Sequence, residues 1–238
     1  MIGVFGAALL RGFTGFGFGL AAVPLLSLSL PPSAVVPLVV TLQVAVGLFG
    51  LRHAIGECDW QSVRRLFPGL PLGVPIGLAV LTILPANPVR LVIGTLIATA
   101  VWLIYRGVSL PPNPSRKVSF AVGLTSGIIS GLASMGGPPI VVYLLAVGHS
   151  AGRMRATAVV YFMLAGLVSM LPMAARGMIN QQTLLWTAAS IPALLGGTRL
   201  GSWAFFRSKP AHHRLAALVS LSVLSALLIG RAALGFGG

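Results

Sequence analysis

Residues 118–152 contain no Asp, Glu, Lys or Arg for 35 positions, and the run Ser-Gly-Leu-Ala-Ser-Met-Gly-Gly-Pro-Pro lies at its centre. A single membrane helix needs about 20 apolar residues, and two full spans need roughly twice that. An apolar stretch of intermediate length with a Gly/Pro break is read as a hairpin dipping into the bilayer, or as a broken helix. Backbone that leaves the helix at membrane depth is tolerated only where protein covers it or where it lines a cavity. The break is therefore a candidate ligand site.

A mean hydropathy of +0.98, with 8% charged residues, excludes a soluble globule and describes an integral membrane protein. Charge-poor runs recur at 31–51, 66–89, 156–175 and 177–198, and shorter ones at 91–105 and 215–230. Each is read as a membrane span, the shorter ones extended by flanking arginines that reach the interface. The formal charge of +14 does not imply nucleic acid as a partner. The basic residues stand singly or in pairs at the ends of apolar runs, as cytoplasmic loop anchors against anionic lipid do. Cys58 is the only cysteine, which excludes an intrachain disulfide, and with Glu57 and Asp59 it is expected in a loop away from any cavity. The first 30 residues do not read as a signal peptide, because Arg11 interrupts the apolar run.

The chain divides at Leu110-Pro111-Pro112-Asn113-Pro114-Ser115 into repeats 1–110 and 116–238. Each opens with a broken apolar segment, the first at Gly12-Phe13-Thr14-Gly15-Phe16-Gly17-Phe18-Gly19 and the second between Gly127 and Pro139. Three ordinary spans follow in each. The third segment of each half carries a small-residue spacing, Gly73 with Gly77 and Gly197 with Gly201, suited to close helix packing. A Pro and an Arg precede each fourth segment, Pro88 with Arg90 and Pro210 with Arg214.

Loop charge decides the topology. If all eight segments cross once, the basic residues divide eight to six. If the first and fifth segments re-enter, eleven of them, from Arg52 to Arg214, share one face, and Arg90, Arg176 and Arg231 hold the other. The second arrangement fits the positive-inside rule far better. It gives the halves opposite orientation and aims the two hairpins at each other.

A helix restarting at membrane depth presents unpaired N–H groups and the positive end of its dipole, which suits a small anion. Gly136, Gly137 and Pro138 fit that recipe, with Ser134 placed to cap the restart or to touch a ligand, and Ser130 one turn earlier. Gly15, Gly17 and Gly19, with Thr14, form the N-terminal counterpart. The competing reading is that these glycines only permit tight helix crossing. Arg11 precedes the first break and faces either the cavity or an interface; Arg199 is expected at an interface. Gln43 and Tyr161 join the candidate substrate contacts, and Thr41, Tyr143 and Thr157 are further polar residues within spans. Glu57 and Asp59 are the only carboxylates, so no acid is expected in the membrane to carry a coupling proton. No nucleotide, zinc-protease or Asp-rich metal motif is present, and no cofactor, metal site or catalytic residue is expected.

The segments 12–26 (Gly-Phe-Thr-Gly-Phe-Gly-Phe-Gly-Leu-Ala-Ala-Val-Pro-Leu-Leu) and 127–143 (Gly-Ile-Ile-Ser-Gly-Leu-Ala-Ser-Met-Gly-Gly-Pro-Pro-Ile-Val-Val-Tyr) resemble the paired signatures of the sulfite exporter TauE/SafE family, also called the toluene sulfonate uptake permeases. The likeness covers nearly the whole chain, and Phe16 and Phe18 depart from it where small residues are commoner. It implies a multi-pass carrier of the bacterial inner membrane that moves sulfite, organosulfonates or related anions, often outward. The sequence thus leads to an all-α polytopic membrane protein of two inverted repeats, each a re-entrant hairpin plus three transmembrane helices, binding a small anion by alternating access. A passive anion channel of the same fold, uptake of another small organic anion, and a non-transporting assembly partner are the rivals.

Overall fold

In a computed structural model of the chain, residues 1–14, 17–107, 110, 114–148, 150–207 and 210–235 are described. They form α1 (Ile2–Thr14), α2 (Phe18–Ser27), α3 (Pro32–Glu57), α4 (Trp60–Leu66), α5 (Gly69–Ile83), α6 (Ala86–Arg106), α7 (Arg116–Ala133), α8 (Gly137–Val147), α9 (Ala151–Ala175), α10 (Gln181–Arg207) and α11 (Pro210–Leu234), with no strand among the described residues. A chain this apolar must satisfy its backbone polar groups internally, and helices do so segment by segment. Local chemistry marks the ends. Asp59, Ser115 and Ser150 cap α4, α7 and α9 by accepting from the Gln61, Val118 and Arg153 amides. Gly148 ends α8 at φ 75°. At the far ends of α6 and α10, Arg106 lies over the Trp102 ring and Arg207 over the Trp203 ring, the aromatic-basic pairing of a membrane boundary.

The expected spans at 31–51, 91–105, 156–175 and 215–230 fall inside α3, α6, α9 and α11. Two expectations need correction. Residues 66–89 are not one span: α5 stops at Ile83, Pro85 separates it from α6, and α4 meets α5 at a bend of 48°. Pro88 and Arg90 accordingly belong to the opening of α6 and do not precede it. The 177–198 run begins later than expected, because Gly177 turns the chain at φ 69° before α10 starts at Gln181. By length and composition, Ala86–Leu103 and Gly152–Ala175 can each cross a membrane, and the bent pairs Pro32–Leu48 with Leu51–Glu57 and Trp60–Leu66 with Gly69–Ile83 can do so together.

Four helix pairs dominate the packing: α5 with α7, α1 with α10, α3 with α9 and α6 with α11. The first two are glycine contacts. Gly69, Gly73 and Gly77 of α5 lie directly against the α7 backbone, and Gly123, Gly127 and Gly131 of α7 lie against the α5 backbone and the Leu66 carbonyl. In α1 and α10, Gly12 meets the Thr198 carbonyl, Gly197 the Phe5 carbonyl and Gly201 the Leu9 carbonyl. Added Cβ atoms at these positions would overlap backbone, which cannot step aside. Between lipid-embedded helices, such close approach supplies the dispersion and dipole contacts that burial supplies in water. α3 and α9 cross through Gly47 against Met163 and Gly166 against Val44.

These contacts recur in the same register, at one fixed displacement from α5 to α10 and another from α1 to α7. Gly73 meets the Leu124 carbonyl as Gly197 meets that of Phe5; Gly77 meets the Ile128 carbonyl as Gly201 meets that of Leu9; Gly131 meets the Val74 carbonyl as Gly12 meets that of Thr198.

The short helices pair as hairpins. Gly3 and Gly6 near the start of α1 pack on Leu26 and Leu25 near the end of α2. Ser119 near the start of α7 bonds Tyr143 in the later half of α8 (3.0 Å). The far end of the first hairpin is tied down by Arg90, whose Nε donates to the Ser27 carbonyl (2.9 Å) and whose Nη2 donates to that of Leu30 (3.3 Å). A guanidinium there meets the negative end of α2. Arg90 also donates to Asn87 Oδ1 (2.7 Å), and the Asn87 amide donates to the Gly235 carbonyl.

Cys58 and Asp59 lie in the loop between α3 and α4, as expected, and that loop is buried. Cys58 is 6% exposed and packs with Ala54, Val63, Ala156 and Val160. Asp59 is 7% exposed, its amide donating to Thr157 Oγ1 (2.9 Å). Thr157 in turn donates to the Arg153 carbonyl (2.8 Å), so this hydroxyl ties the α3–α4 turn to α9. Thr41 is spent in the same way, sharing a hydrogen bond with Thr187 of α10 (2.6 Å).

Two outcomes follow. Gly77→Ala should lower thermal stability in detergent by about 1–3 kcal/mol, the usual cost of overpacking. Gly56→Ala, where a Cβ meets nothing within 4 Å, should leave it unchanged or slightly raised; equal losses would dismiss the interhelical contact. Burial pushes the Cys58 thiol up, the Thr157 hydrogen bond opposes this, and Asp59 adds to it. A raised thiol holds little thiolate near neutrality. Maleimide labelling of the folded protein should therefore be slow at pH 7 and accelerate only in the alkaline range, with rapid labelling at pH 7 as the contrary result.

Candidate functional site

The ends of the two hairpins meet inside the bundle. α7 terminates at Ser134, whose αL conformation (φ 53°) turns the chain, with its amide bonded to the Ser130 carbonyl (2.8 Å). Two residues later Gly136 begins α8, with prolines in the first turn and no side-chain cap. Ser134 thus closes α7 and does not cap α8. α2 begins at Gly17, again without a side-chain cap. The two starts adjoin: Gly19 lies against the Ser134 carbonyl, with no room for a Cβ between them.

The glycines of the breaks do two different jobs. Gly19 and Gly136 are packing positions, Gly136 pressing on the Ser130 and Ser126 hydroxyls. Gly17 and Gly137 have space. A Cβ on either would meet only the edge of the Phe162 ring, at 3.8 and 3.6 Å respectively. Phe162 of α9 therefore stands across both helix starts. Its backbone carbonyl accepts from Gln43 Nε2 of α3 (3.1 Å), and its ring meets Tyr161 edge-on, with centroids 6.1 Å apart.

The polar inventory is short. Ser126 Oγ donates to the Gly136 carbonyl (2.7 Å), fastening the loop between α7 and α8. The Ser134 hydroxyl (5% exposed) is buried without a hydrogen-bond partner, and that of Tyr161 (0% exposed) is buried beside Ser126. An unpaired buried hydroxyl costs about 1–3 kcal/mol, so Ser134, at the turn where the two helix starts adjoin, is a candidate contact for a polar guest. Pro138 and Pro139 bring no N–H, which leaves the Gly136 and Gly137 amides in the first turn of α8. In the first turn of α2, the Leu20 amide bends back to the Gly17 carbonyl (3.1 Å). The positive ends of both helix dipoles point into this space.

Of the residues expected at the site, Gly17, Gly19, Ser130, Ser134, Gly136, Gly137, Pro138, Gln43 and Tyr161 are gathered around the two breaks. Gly15 lies outside the described residues. Thr14 ends α1. Arg11 is half-buried in the last turn of α1, at the negative end of that helix, with Arg155 of α9 close enough to act on it. Arg199 is exposed. Tyr143, Thr41 and Thr157 bond to neighbouring elements.

Phe162 and Ser126 were not anticipated from sequence. Ser126 carried a signal: Ser126-Gly127 recurs as Ser130-Gly131 four residues later. On a helix this spacing produces a serine stripe towards α8 beside a glycine stripe towards α5. Phe162 carried none, because one aromatic among apolar residues looks like any other.

No solved structure matches this chain. It is 28% identical over 197 residues to a protein of Cupriavidus necator named "Probable sulfite/organosulfonate exporter TauE", an alignment covering 79% of this chain and 76% of that one. Residues 1–228 match the family described as sulfite exporter TauE/SafE, and the chain, with its paired helix breaks facing one aromatic ring, belongs to that family.

Proposed function

We propose that the chain is a multi-pass secondary transporter of the bacterial inner membrane that exports small sulfur-containing anions, sulfite or organosulfonates, by alternating access. The observation that carries this reading is the junction of two uncapped helix starts, at Gly17 and Gly137, with the unpartnered Ser134 hydroxyl beside them. Helix dipoles and hydroxyl donors complement a small oxyanion. The family membership and the printed description of the relative supply the sulfur anion. An anion leaving a negative interior gains about 2.3 kcal/mol per charge per 100 mV, so export needs no proton-carrying acid in the membrane.

In this reading residues 1–110 and 116–238 are inverted repeats, each a re-entrant hairpin and three spans. The recurrence of the glycine contacts supports it, since α1 meets α10 as α7 meets α5. The charge distribution agrees as well. Arg90 and Arg231 border one depression with Leu28, whereas Arg65, Arg116 and Arg153 border another beside the ends of the second hairpin. Rocking of one repeat against the other, with the α3–α9 crossing as its fulcrum, would open the junction to each face in turn.

The two kinds of glycine provide the test. Gly17→Ala and Gly137→Ala project a methyl into the space before Phe162 and should leave folding intact while cutting sulfite flux in proteoliposomes at least tenfold. Gly19→Ala and Gly136→Ala should fail by destabilisation. Wild type should show trans-stimulated counterflow with sulfite and thermal stabilisation by it. Flux without trans-stimulation would identify a channel. Undiminished function in both Gly17→Ala and Gly137→Ala would remove the site.

A further inference from the structure

The interior of the second hairpin carries a polar lining that continues beyond the break. Ser119, Ser126, Ser130 and Ser134 are all buried along α7. The outermost, Ser119, shares its hydrogen bond with Tyr143 of α8 (3.0 Å). Tyr143 is only 1% exposed, yet it borders a depression of about 450 Å³. There the start of α4, the start of α7, the end of α8 and the start of α9 converge. Arg65, Arg116 and Arg153 line it, with Asp59 as the only acid, and Asp59 Oδ1 already accepts from the Gln61 amide (3.1 Å). Three guanidinium groups against one carboxylate leave an excess of positive charge in a concave, hydroxyl-bearing space, a geometry that concentrates anions.

We propose that this depression is a second anion site, a vestibule that collects the sulfur oxyanion on the face bearing the α3–α4 and α8–α9 turns, and that Tyr143 with Ser119 forms its inner wall towards Ser134. The inference deepens the carrier reading and rests on it. Arg65 and Arg116 also border a neighbouring groove with Trp60 and Phe120, whose aromatic walls suit lipid. The vestibule itself offers Ser62, Ser115 and Tyr143, which suits a soluble oxyanion.

The test is equilibrium dialysis of the full chain in uncharged detergent with radiolabelled sulfite. Wild type should bind at a salt-sensitive site and at a salt-resistant one, since exposed guanidinium groups are screened and a buried junction much less so. The double variant Arg65→Gln/Arg153→Gln should lose the salt-sensitive component alone. In phosphatidylcholine vesicles it should raise the KM for sulfite about tenfold and leave kcat within about twofold, the signature of lost collection without lost translocation. Gly137→Ala should do the reverse in dialysis, losing the salt-resistant component. Tyr143→Phe, which keeps the ring and removes the bond to Ser119, should slow kcat about fivefold, the worth of one hydrogen bond. An unchanged isotherm in the double variant overturns the vestibule whatever Gly137→Ala does; an unchanged isotherm in Gly137→Ala overturns the central site instead. One-for-one displacement of the salt-sensitive sulfite by phosphatidylglycerol would assign the arginines to headgroups and overturn the proposal. An unaltered kcat in Tyr143→Phe would overturn the role given to that residue.

Discussion

The close approach of α5 to α7, and of α1 to α10, is the contact on which the rest of the molecule depends. Within lipid, two helices gain nothing by hiding apolar side chains from each other, because the tails are equally apolar. What they can gain is backbone proximity, and glycine every fourth residue supplies it. Each partner pairs one arm of a hairpin with a helix from the other half of the chain. The hairpin tips are thereby held by partners across the molecule, and this fixes where α2 and α8 begin. If α5 and α7 stood a methyl group further apart, Gly19 would lose its seat on the Ser134 carbonyl, and the two helix starts would no longer converge.

A break within a membrane protein exposes backbone groups that lipid cannot satisfy, and the chain limits that exposure residue by residue. Pro138 and Pro139 remove two donors from the first turn of α8. Ser126 takes the Gly136 carbonyl, the Ser134 amide returns to Ser130, and the Leu20 amide folds back on Gly17. After these pairings the polar atoms left over are few and localised: the amides of Gly136 and Gly137, the start of α2, and the Ser134 hydroxyl. Phe162 of α9 stands across Gly17 and Gly137, bringing an apolar ring edge to both helix starts. Low polarity around a few aligned dipoles strengthens each of them.

Much of this was legible in the sequence. The length of the charge-free run and its Gly/Pro centre announced the second hairpin, and the spacing of Gly73 with Gly77 and of Gly197 with Gly201 announced close helix contacts. Their partners were harder to read. Gly123, Gly127 and Gly131 fall in a segment whose glycines drew attention as a break, and nothing local says that α7 meets α5. The burial of Asp59 and Cys58 was not legible, because nothing in a charged tripeptide between apolar runs says that Thr157, nearly 100 residues away, draws the loop inward. The 66–89 run misled for a related reason. Absence of charge marks apolarity, not continuity, and Pro85 ends a helix whatever its hydropathy.

The distribution of full and partial charge also bears on turnover. A guanidinium fixed at the junction would hold a sulfur oxyanion through a charge-assisted, bidentate pair in a dry setting, and strong holding opposes release. The two helix starts at Gly17 and Gly137 themselves supply dipoles and hydroxyls, which in the proposed carrier would replace part of the solute's hydration without trapping it. Full positive charge gathers with Arg65, Arg116 and Arg153 around a solvent-facing depression, and Arg11 stands in the last turn of α1, against the negative end of that helix. Steering acts over distances at which a hydrogen bond has no reach, so the mouth is where full charge raises the rate of capture. In the proposed cycle, weaker binding shared between two movable halves at the junction would keep neither conformation deep enough to stop turnover.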